Sequence, residues 1–393
     1  MIILVANLGS TSFKYKLFDM ADGREQVLAQ GAADRIGLGA SAWHVAASDR
    51  QRDGTSDLAD HAAAIELHLE HLIELAIIDR IEQVEAIGFK AVHGGHLSGA
   101  VQIDEQVIEV MEAMSAVAPQ HNPPYIAAMR AFKGQLPEVP QVAAFETGYH
   151  QSIPLARQLY GVPYEWVEKL GVRRYGFHGA SHRYISTCMA QVQPDASCII
   201  SCHLGGSCSI SALKDGASVG NSFGMTAQSG TFHSSRVGDF DVFILMMLLD
   251  AGIDLDTIWQ KLGKEGGLLG LSGVSPDMRE VEEAADAGNE RARLAVDAFV
   301  ESCRHYIGAY LAVLNGADAL VFTGGIGQNG KRIRAAICAD LDFAGIRIDP
   351  ERNASTRGAE PTRIDAGPVP IWVVTTDEEL IVARQTYQTL NEN

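Results

Sequence analysis

The sequence predicts an α/β protein with mixed sheets, built from two related halves, on three observations. First, IILVANLGSTSFKYKLF from Ile2 and SCIISCHLGGSCSISAL from Ser197 share one plan: an apolar strand, a Leu-Gly turn rich in small residues, and a second strand. Asn7-Leu8-Gly9-Ser10-Thr11-Ser12 lies over His203-Leu204-Gly205-Gly206-Ser207-Cys208, which marks an internal duplication. Second, strands beyond each hairpin alternate with stretches that carry apolar residues at helical spacing. Third, an antiparallel hairpin opens each half, which separates this plan from a simple doubly wound sheet.

In chain order, EQVLAQGAA from Glu25 reads as a third strand, and the Gly/Ser/Asp-rich region from Ile36 to Ser56 as loops. Leu58 to Ile77 has helical periodicity, and VEAIGFKAV is a strand. A helix follows from Asp104 to about Val117, stopped by Pro119 and then by Pro123-Pro124. Another helix and the strand VAAFET end the first half. The second half repeats this grammar with its hairpin, a third strand near Ala217 to Val219, helices across 239 to 262 and 277 to 315, the strand ALVFTG and a glycine turn.

With 393 residues, the chain is too long for one typical core and suits two domains. Hydrophobic residues at 47% and charged residues at 20% are those of a globular protein. A formal charge of −18 argues against broad attraction to nucleic acid or an anionic membrane, although a local basic site can still take an anionic substrate. The chain opens directly on a strand without a signal-peptide pattern, and its longest apolar runs, such as VFILMMLL from Val242, are too short to span a bilayer. Cytoplasm is therefore the expected location. Cys188, Cys198, Cys202, Cys208, Cys303 and Cys338 form no CxxC pair and read as reduced core thiols.

Several motifs carry chemistry. Glycines and hydroxyls at the two hairpin turns allow backbone N–H groups to face an anion, so two such turns could grip the phosphates of one nucleotide. APQHNPPYI places His121 in a turn stiffened by prolines, where a structural role is the first expectation. In YGFHGASH, Phe177 and His178 lie between Gly176 and Gly179, so His178 can approach a ligand closely and donate to charge developing on a transferred group. His182, four residues on, suggests a zinc pair only weakly, because no Glu intervenes. Arg236 follows a Gly/Ser/Thr-rich stretch from Gly220 to Ser235 and suits an anion as well as it suits solvent. GGIGQN follows an apolar strand, where a tight turn or a nucleotide site both fit. TTDEEL supplies Asp377, Glu378 and Glu379, either a solvated helix start or a holder for magnesium.

Taken in order, NLGSTSFK, AVHGG, APQHNPP, FETGYH, YGFHGASH, the hairpin at His203, SGVSPDMR, GGIGQN and TDEEL resemble the acetate kinase family of the acetate and sugar kinase/Hsp70/actin superfamily, over essentially the whole chain. The resemblance implies duplicated βββαβαβα (actin-like ATPase, ribonuclease H-like) domains with a central cleft. The N-terminal domain would take residues 1–150 plus 380–393, and the C-terminal nucleotide-binding domain 151–379. It also implies a homodimer, and reversible transfer of a phosphoryl group from ATP to a short carboxylic acid, with Mg2+ or Mn2+, giving an acyl phosphate and ADP.

Carried over by position, the resemblance implies metal organisation by Asn7 and Glu378, phosphate contact by Lys14, and catalytic roles for His178, Arg236 and Glu146. It implies nucleotide binding by His203, Leu204, Gly205, Gly206 and Ser207, by Asp277, Met278 and Arg279, and by Gly325, Ile326, Gly327, Gln328 and Asn329. Lys90, Val92, Gln120, His121, Phe177 and Ala227 fall where the acid is bound. These roles agree with the chemistry. A carboxylate nucleophile is already ionised at neutral pH, so the difficulty is bringing two anions together, which cations and donors relieve.

The chain departs from the family pattern at Lys90 for Arg, Glu146 for Asp, Gly206 for Asn, Gly220 for Asp, Gln328 for Glu, Gln120 for Leu and Ala227 for Pro. The last two imply a roomier, more polar acid pocket. Acetate is the family default, with propionate or a hydroxy acid as variants. A nucleotide-binding sensor or scaffold with weak turnover is the alternative from a different class.

Overall fold

The computed structural model describes residues 1–21, 24–119, 121–356 and 360–392, and the chain divides into two compact units, Met1–Tyr149 with Asp377–Asn393, and His150–Thr376. The first unit is built on eight strands: β1 (Ile2–Leu8), β2 (Ser12–Asp19), β3 (Gln26–Asp34), β4 (Ser41–Ala47), β5 (Arg50–Ser56), β6 (Ala86–Ala91), β7 (Ala100–Gln102) and β8 (Gln141–Phe145), in the order β5-β4-β3-β2-β1-β6-β8-β7. The uncharged run Ile3 to Ala6 is buried because β1 is internal, antiparallel to β2 and parallel to β6.

Three helices, α1 (His61–Glu74), α2 (Glu105–Ala113) and α3 (Asn122–Gln135), belong to this unit, together with a helix at Glu378–Asn391. Asp60 and Asp104 cap the first two by accepting from Ala63 N at 3.0 Å and Val107 N at 2.9 Å. Pro123 and Pro124 do not serve as the stop for α2, which ends at Ala113. They open α3, where their missing donors would have lain outside the helical ladder.

The region from Ile36 to Ser56 corrects the loop reading, because β4 and β5 pair as a hairpin at the sheet edge. An edge strand solvated on both faces can be as polar as RQRDGTS, so composition misled where β4's buried Ser41, Val45 and Ala47 carried the period-two signal.

The second unit has β9 (Cys198–Leu204), β10 (Cys208–Lys214), β11 (Ala217–Asn221), β12 (Ala319–Thr323), β13 (Thr362–Arg363) and β14 (Ile371–Val373), in the order β11-β10-β9-β12-β14-β13. Its helices are α4 (Leu155–Gln158), α5 (Tyr164–Leu170), α6 (Gly179–Val192), α7 (Ile244–Asp250), α8 (Leu255–Lys264), α9 (Gly267–Ser272), α10 (Met278–Asp286), α11 (Glu290–Leu314), α12 (Gly324–Asn329), α13 (Lys331–Cys338) and α14 (Pro350–Ser355). The helix Glu378–Asn391 of the first unit is then α15. Asn289 caps α11 through Ala292 N at 3.0 Å, and Asn315 ends it at φ 61°. Its apolar stripe, Phe299, Cys303, Ile307 and Leu314, covers the sheet.

Without β4, β5 and β7 the first sheet runs β3-β2-β1-β6-β8, and without β13 the second runs β11-β10-β9-β12-β14, with the same strand directions. The duplicated α/β plan expected from the two hairpins is the observed one. No helix among the described residues is long and apolar enough to cross a membrane.

Candidate active site

In the first unit, the polar residues gather where the β1–β2 hairpin meets the start of α15. Register places Asn7 directly opposite Lys14, which is exposed. Asn7 Oδ1 accepts from Tyr125 Oη at 3.2 Å, and Asn7 Nδ2 donates to Glu379 Oε1 at 3.3 Å. Tyr125 Oη also accepts from Leu8 N at 3.1 Å, so α3 pins the turn.

Asp377 caps α15 through Leu380 N at 3.0 Å and accepts from Lys16 Nζ at 2.9 Å. Glu378 takes Lys90 Nζ at 2.5 Å. Burial alone would lower the Lys90 ammonium, but the charges of Glu378 and then Glu146 outweigh it and hold it above its ordinary value. Glu146, at the end of β8, is buried. Val92 is buried, His121 stands at the N-cap of α3, and the neighbouring Gln120 lies outside the described residues. Asn122 Nδ2 ties this turn to the carbonyls of His93 at 2.9 Å and Met111 at 2.8 Å.

In the second unit, histidines and serines gather around His178. This residue is the N-cap of α6 and adopts φ 57°, a conformation uncommon outside glycine that neighbouring contacts must hold. The His178 ring lies 4.1 Å from that of His203 and 5.2 Å from Phe223, centroid to centroid. His178 Nδ1 meets Ser209 Oγ at 2.8 Å, and His203 Nδ1 meets Ser181 Oγ at 2.8 Å.

Phe177 is buried edge-on to Phe223, and its carbonyl meets His150 Nε2 at 2.8 Å. Burial pushes His150 down to about 4 and His233 to about 3, so both are neutral at pH 7. Half-buried Arg236 donates through Nη1 to the Ala227 carbonyl at 2.5 Å, which brings two expected site residues together. Desolvation lowers its pKa, but a guanidinium starts so high that it stays charged.

The structure also brings together two of the expected nucleotide segments. Gly324 has φ 75°, and a Cβ there would lie 2.6 Å from the Leu204 carbonyl oxygen, so only glycine lets α12 start against β9. GGIGQN is thus a short helix rather than a bare turn. Within it, Asn329 Nδ2 donates to Gly325 O at 2.9 Å, Ile326 packs on the apolar core, and Gly327 and Gln328 offer their carbonyls to buried Arg334 at 2.8 and 2.6 Å.

At the β9–β10 turn, Gly205 and Ser207 are half-buried, Gly206 is exposed and Leu204 is core. Asp277 caps α10 and is occupied by Arg279, whose Nη2 lies 2.5 Å from its Oδ2, which brings the carboxyl down to about 2. The Met278 side chain belongs to the core. Sequence reading did not single out Tyr125, Asn122 or Ser209, whose contacts depend on register and packing. The four-residue spacing of His178 and His182 was the one signal pointing toward the serine-histidine cluster.

A glycine hairpin abutting the start of a helix, next to an arginine and neutral histidines, is the chemistry of a phosphate-handling α/β protein. The chain belongs to the Acetokinase family, which it matches over residues 2–384. It is 41% identical to the acetate kinase of Shouchella clausii (strain KSM-K16) over 390 residues, 98% of each chain. It is also 41% identical to the propionate kinase of Citrobacter rodentium (strain ICC168) over 387 residues, 97% of this chain and 95% of that one. The crystal structure of Porphyromonas gingivalis acetate kinase superposes with a TM-score of 0.89 at 38% identity, covering 99% of both chains.

Proposed function

We propose that the protein is a carboxylate kinase that moves the γ-phosphoryl group of ATP reversibly onto a short-chain acid, giving an acyl phosphate and ADP, with acetate the first candidate. The full-length similarity to both acetate and propionate kinases carries this reading. The acid needs no general base, so the residues act by positioning and by neutralising charge. Arg236 uses Nη1 on Ala227, which leaves the rest of its fork for phosphoryl oxygens, and His178 donates to the same group as it transfers.

Lys14 contacts nucleotide phosphate, and Lys90 draws in the acid's carboxylate. Glu146 keeps the negative charge of the family position, one methylene further out. By family position, Val92, Phe177, His121, Gln120 and Ala227 are the residues assigned to the acid. The β9–β10 turn, Asp277 to Arg279 and α12 hold the nucleotide.

Asn7 and Glu378 offer hard oxygen donors, which suit Mg2+ or Mn2+, and a cation of this kind typically takes one or two protein groups together with substrate phosphates. The ion would neutralise charge on the nucleotide phosphates. A homodimer is supported by the start of α7, where the N-cap Phe243 is 77% and Met247 70% exposed, an apolar surface that a second copy would cover. A reducing cytoplasm, where ATP is available, suits the six free thiols.

The test is acyl phosphate trapped with hydroxylamine across a panel of short acids, with ATP and Mg2+. Product with acetate, propionate or a hydroxy acid identifies the substrate. ATP binding by folded protein without product from any acid would leave the sensor or scaffold reading in its place.

A further inference from the structure

Behind His178 lies a chain of hydrogen bonds that the reaction itself does not require. His178 Nδ1 meets Ser209 Oγ at 2.8 Å; Ser209 Oγ also meets His182 Nε2 at 2.8 Å; His182 Nδ1 meets Ser201 Oγ at 2.9 Å. Ser201 on β9, His182 on α6 and Ser209 on β10 are each 0% exposed. A neutral imidazole has one donor nitrogen and one acceptor nitrogen, and a hydroxyl has one proton to give and two lone pairs, so the chain either runs one way or the other, or has both histidines donating to Ser209, which strands the buried Ser209 proton.

Pointing from Ser201, the hydroxyl donates to His182 Nδ1, His182 Nε2–H donates to Ser209, and Ser209 donates to His178 Nδ1. Every proton within the chain then has an acceptor, and His178 carries its own proton on Nε2. Pointing the other way, His178 Nδ1–H begins the chain and the Ser201 proton ends it. Ser201 has no partner other than His182 among the described residues, so that direction strands a buried donor. His182 itself cannot escape the choice by taking a second proton. Burial, and then the charges of His150 and His203, hold it well below its ordinary pKa.

We propose that Ser201, His182 and Ser209 form a directional hydrogen-bond relay that fixes His178 as the neutral Nε2–H tautomer, a donor set before substrate arrives. The proposal rests on the reading of His178 as the group facing the transferred phosphoryl. Ser209 and His182 are then positioning residues. The relay also explains why His178 sits at φ 57°: the strained backbone is what brings Nδ1 onto Ser209. A group locked as a donor reorganises little during transfer, the condition under which such donors are most effective.

The test uses the full-length protein labelled with 15N-histidine near neutral pH, with the His178 signals assigned by their loss in His178→Asn. The expected long-range 1H–15N spectrum shows a protonated Nε2 and a bare, hydrogen-bonded Nδ1. In Ser209→Ala the signals become those of mixed tautomers, and in Ser209→Thr, which keeps the hydroxyl, they return. Ser201→Ala, cut at the far end of the chain, produces the same mixing and serves if Ser209→Ala does not fold. Turnover should fall about tenfold in Ser209→Ala with both KM values nearly unchanged, and recover in Ser209→Thr. A wild-type proton on Nδ1, or a spectrum unmoved by Ser209→Ala or Ser201→Ala, overturns the relay. Mixed tautomers with full turnover would keep the relay and overturn the role given to His178.

Discussion

Lys90 Nζ lies 2.5 Å from Glu378 Oε2, an ion pair between β6 and the first turn of α15 that joins residues 288 apart in sequence. Its side chains are 19% and 15% exposed, and Glu146 adds a second, weaker charge on the ammonium. Glu378→Gln, which takes from a largely buried cation the nearer of its two carboxylates, is expected to cost about 3 kcal/mol of unfolding free energy. In double-mutant cycles, the Lys90–Glu378 coupling should fall in the range of about 0.5 to 3 kcal/mol and exceed that of Lys90–Glu146, whose charge acts on the ammonium less strongly. Denaturant titrations of the single and double variants decide it, and equal couplings would remove the special standing of the Glu378 contact.

His178→Ala and Arg236→Ala are each expected to lower the rate of acyl phosphate formation at least a hundredfold, about 3 kcal/mol of transition-state stabilisation. The loss should appear in kcat more than in either KM, because the charge they meet is largest during transfer. Steady-state kinetics on folded variants checks this, and a change confined to KM would count against it.

Acid stability follows from the buried histidines. Burial depresses His68 and His233 to about 3, His150 to about 4, and His182 well below the ordinary value of 6.5. The unfolded chain takes up protons below pH 6.5 that the folded chain refuses, so the stability these groups lend is complete above that pH and is lost as pH falls toward the folded values. Each can contribute up to about 1.4 kcal/mol per pH unit in that window. His68 is the cleanest probe, since neither ring nitrogen has a hydrogen-bond partner among the described residues. Urea unfolding of His68→Leu should show higher stability at pH 5 and a pH slope shallower by about one proton. An unchanged slope would show that His68 does not titrate on unfolding.

Two departures from the family pattern should behave oppositely when reversed. A Cβ at Gly206 would find its nearest neighbour, Ser234 Oγ, at 3.7 Å, whereas one at Gly220 would lie 2.8 Å from Tyr310 Cε1. Gly206→Asn is expected to keep stability within about 0.5 kcal/mol and to lower the KM for ATP. Gly220→Asp must displace the Tyr310 ring and should cost about 1 to 3 kcal/mol. Thermal unfolding and nucleotide kinetics of the two variants separate the cases; a tolerated Gly220→Asp would mean that Tyr310 yields freely.

Phe243→Asp and Met247→Glu place charge at the exposed start of α7 and are expected to convert a dimer to a monomer in analytical ultracentrifugation, leaving the fold by circular dichroism unchanged. A wild-type protein that sediments as a monomer would refute the homodimer.

Much of this was legible in the sequence, for physical reasons. The hairpins at Ile2 and Ser197 were readable because an uncharged strand leads into each glycine turn, and internal strands must be apolar on both faces. The β4–β5 hairpin was not, because an edge strand meets water and Arg50 to Ser56 looks like a loop. His178 and Arg236 stood out because glycines and polar residues surround them. Tyr125, Asn122 and Ser209 did not, because their significance comes from what register and helix packing set against them, and neither is written in local pattern. The expectation that Pro123 and Pro124 close a helix used the right property of proline at the wrong end.

The core of the first unit contains Ile3, Val5, Phe18, Ala86 and Ala144 together with Val382 and Ala383, and Gly88 is bare so that Thr386 and Val382 can press against β6. The segment made first therefore cannot finish folding until residues beyond 378 have left the ribosome, whereas His150–Thr376 is continuous and can close earlier. Synthesis order and completion order are reversed. A chain cut short before Asp377 would expose the apolar side of β1 and β6 and lose the carboxylates of Glu379, Asp377 and Glu378 that hold Asn7, Lys16 and Lys90, so an incomplete product would be inactive and open to proteolysis at once.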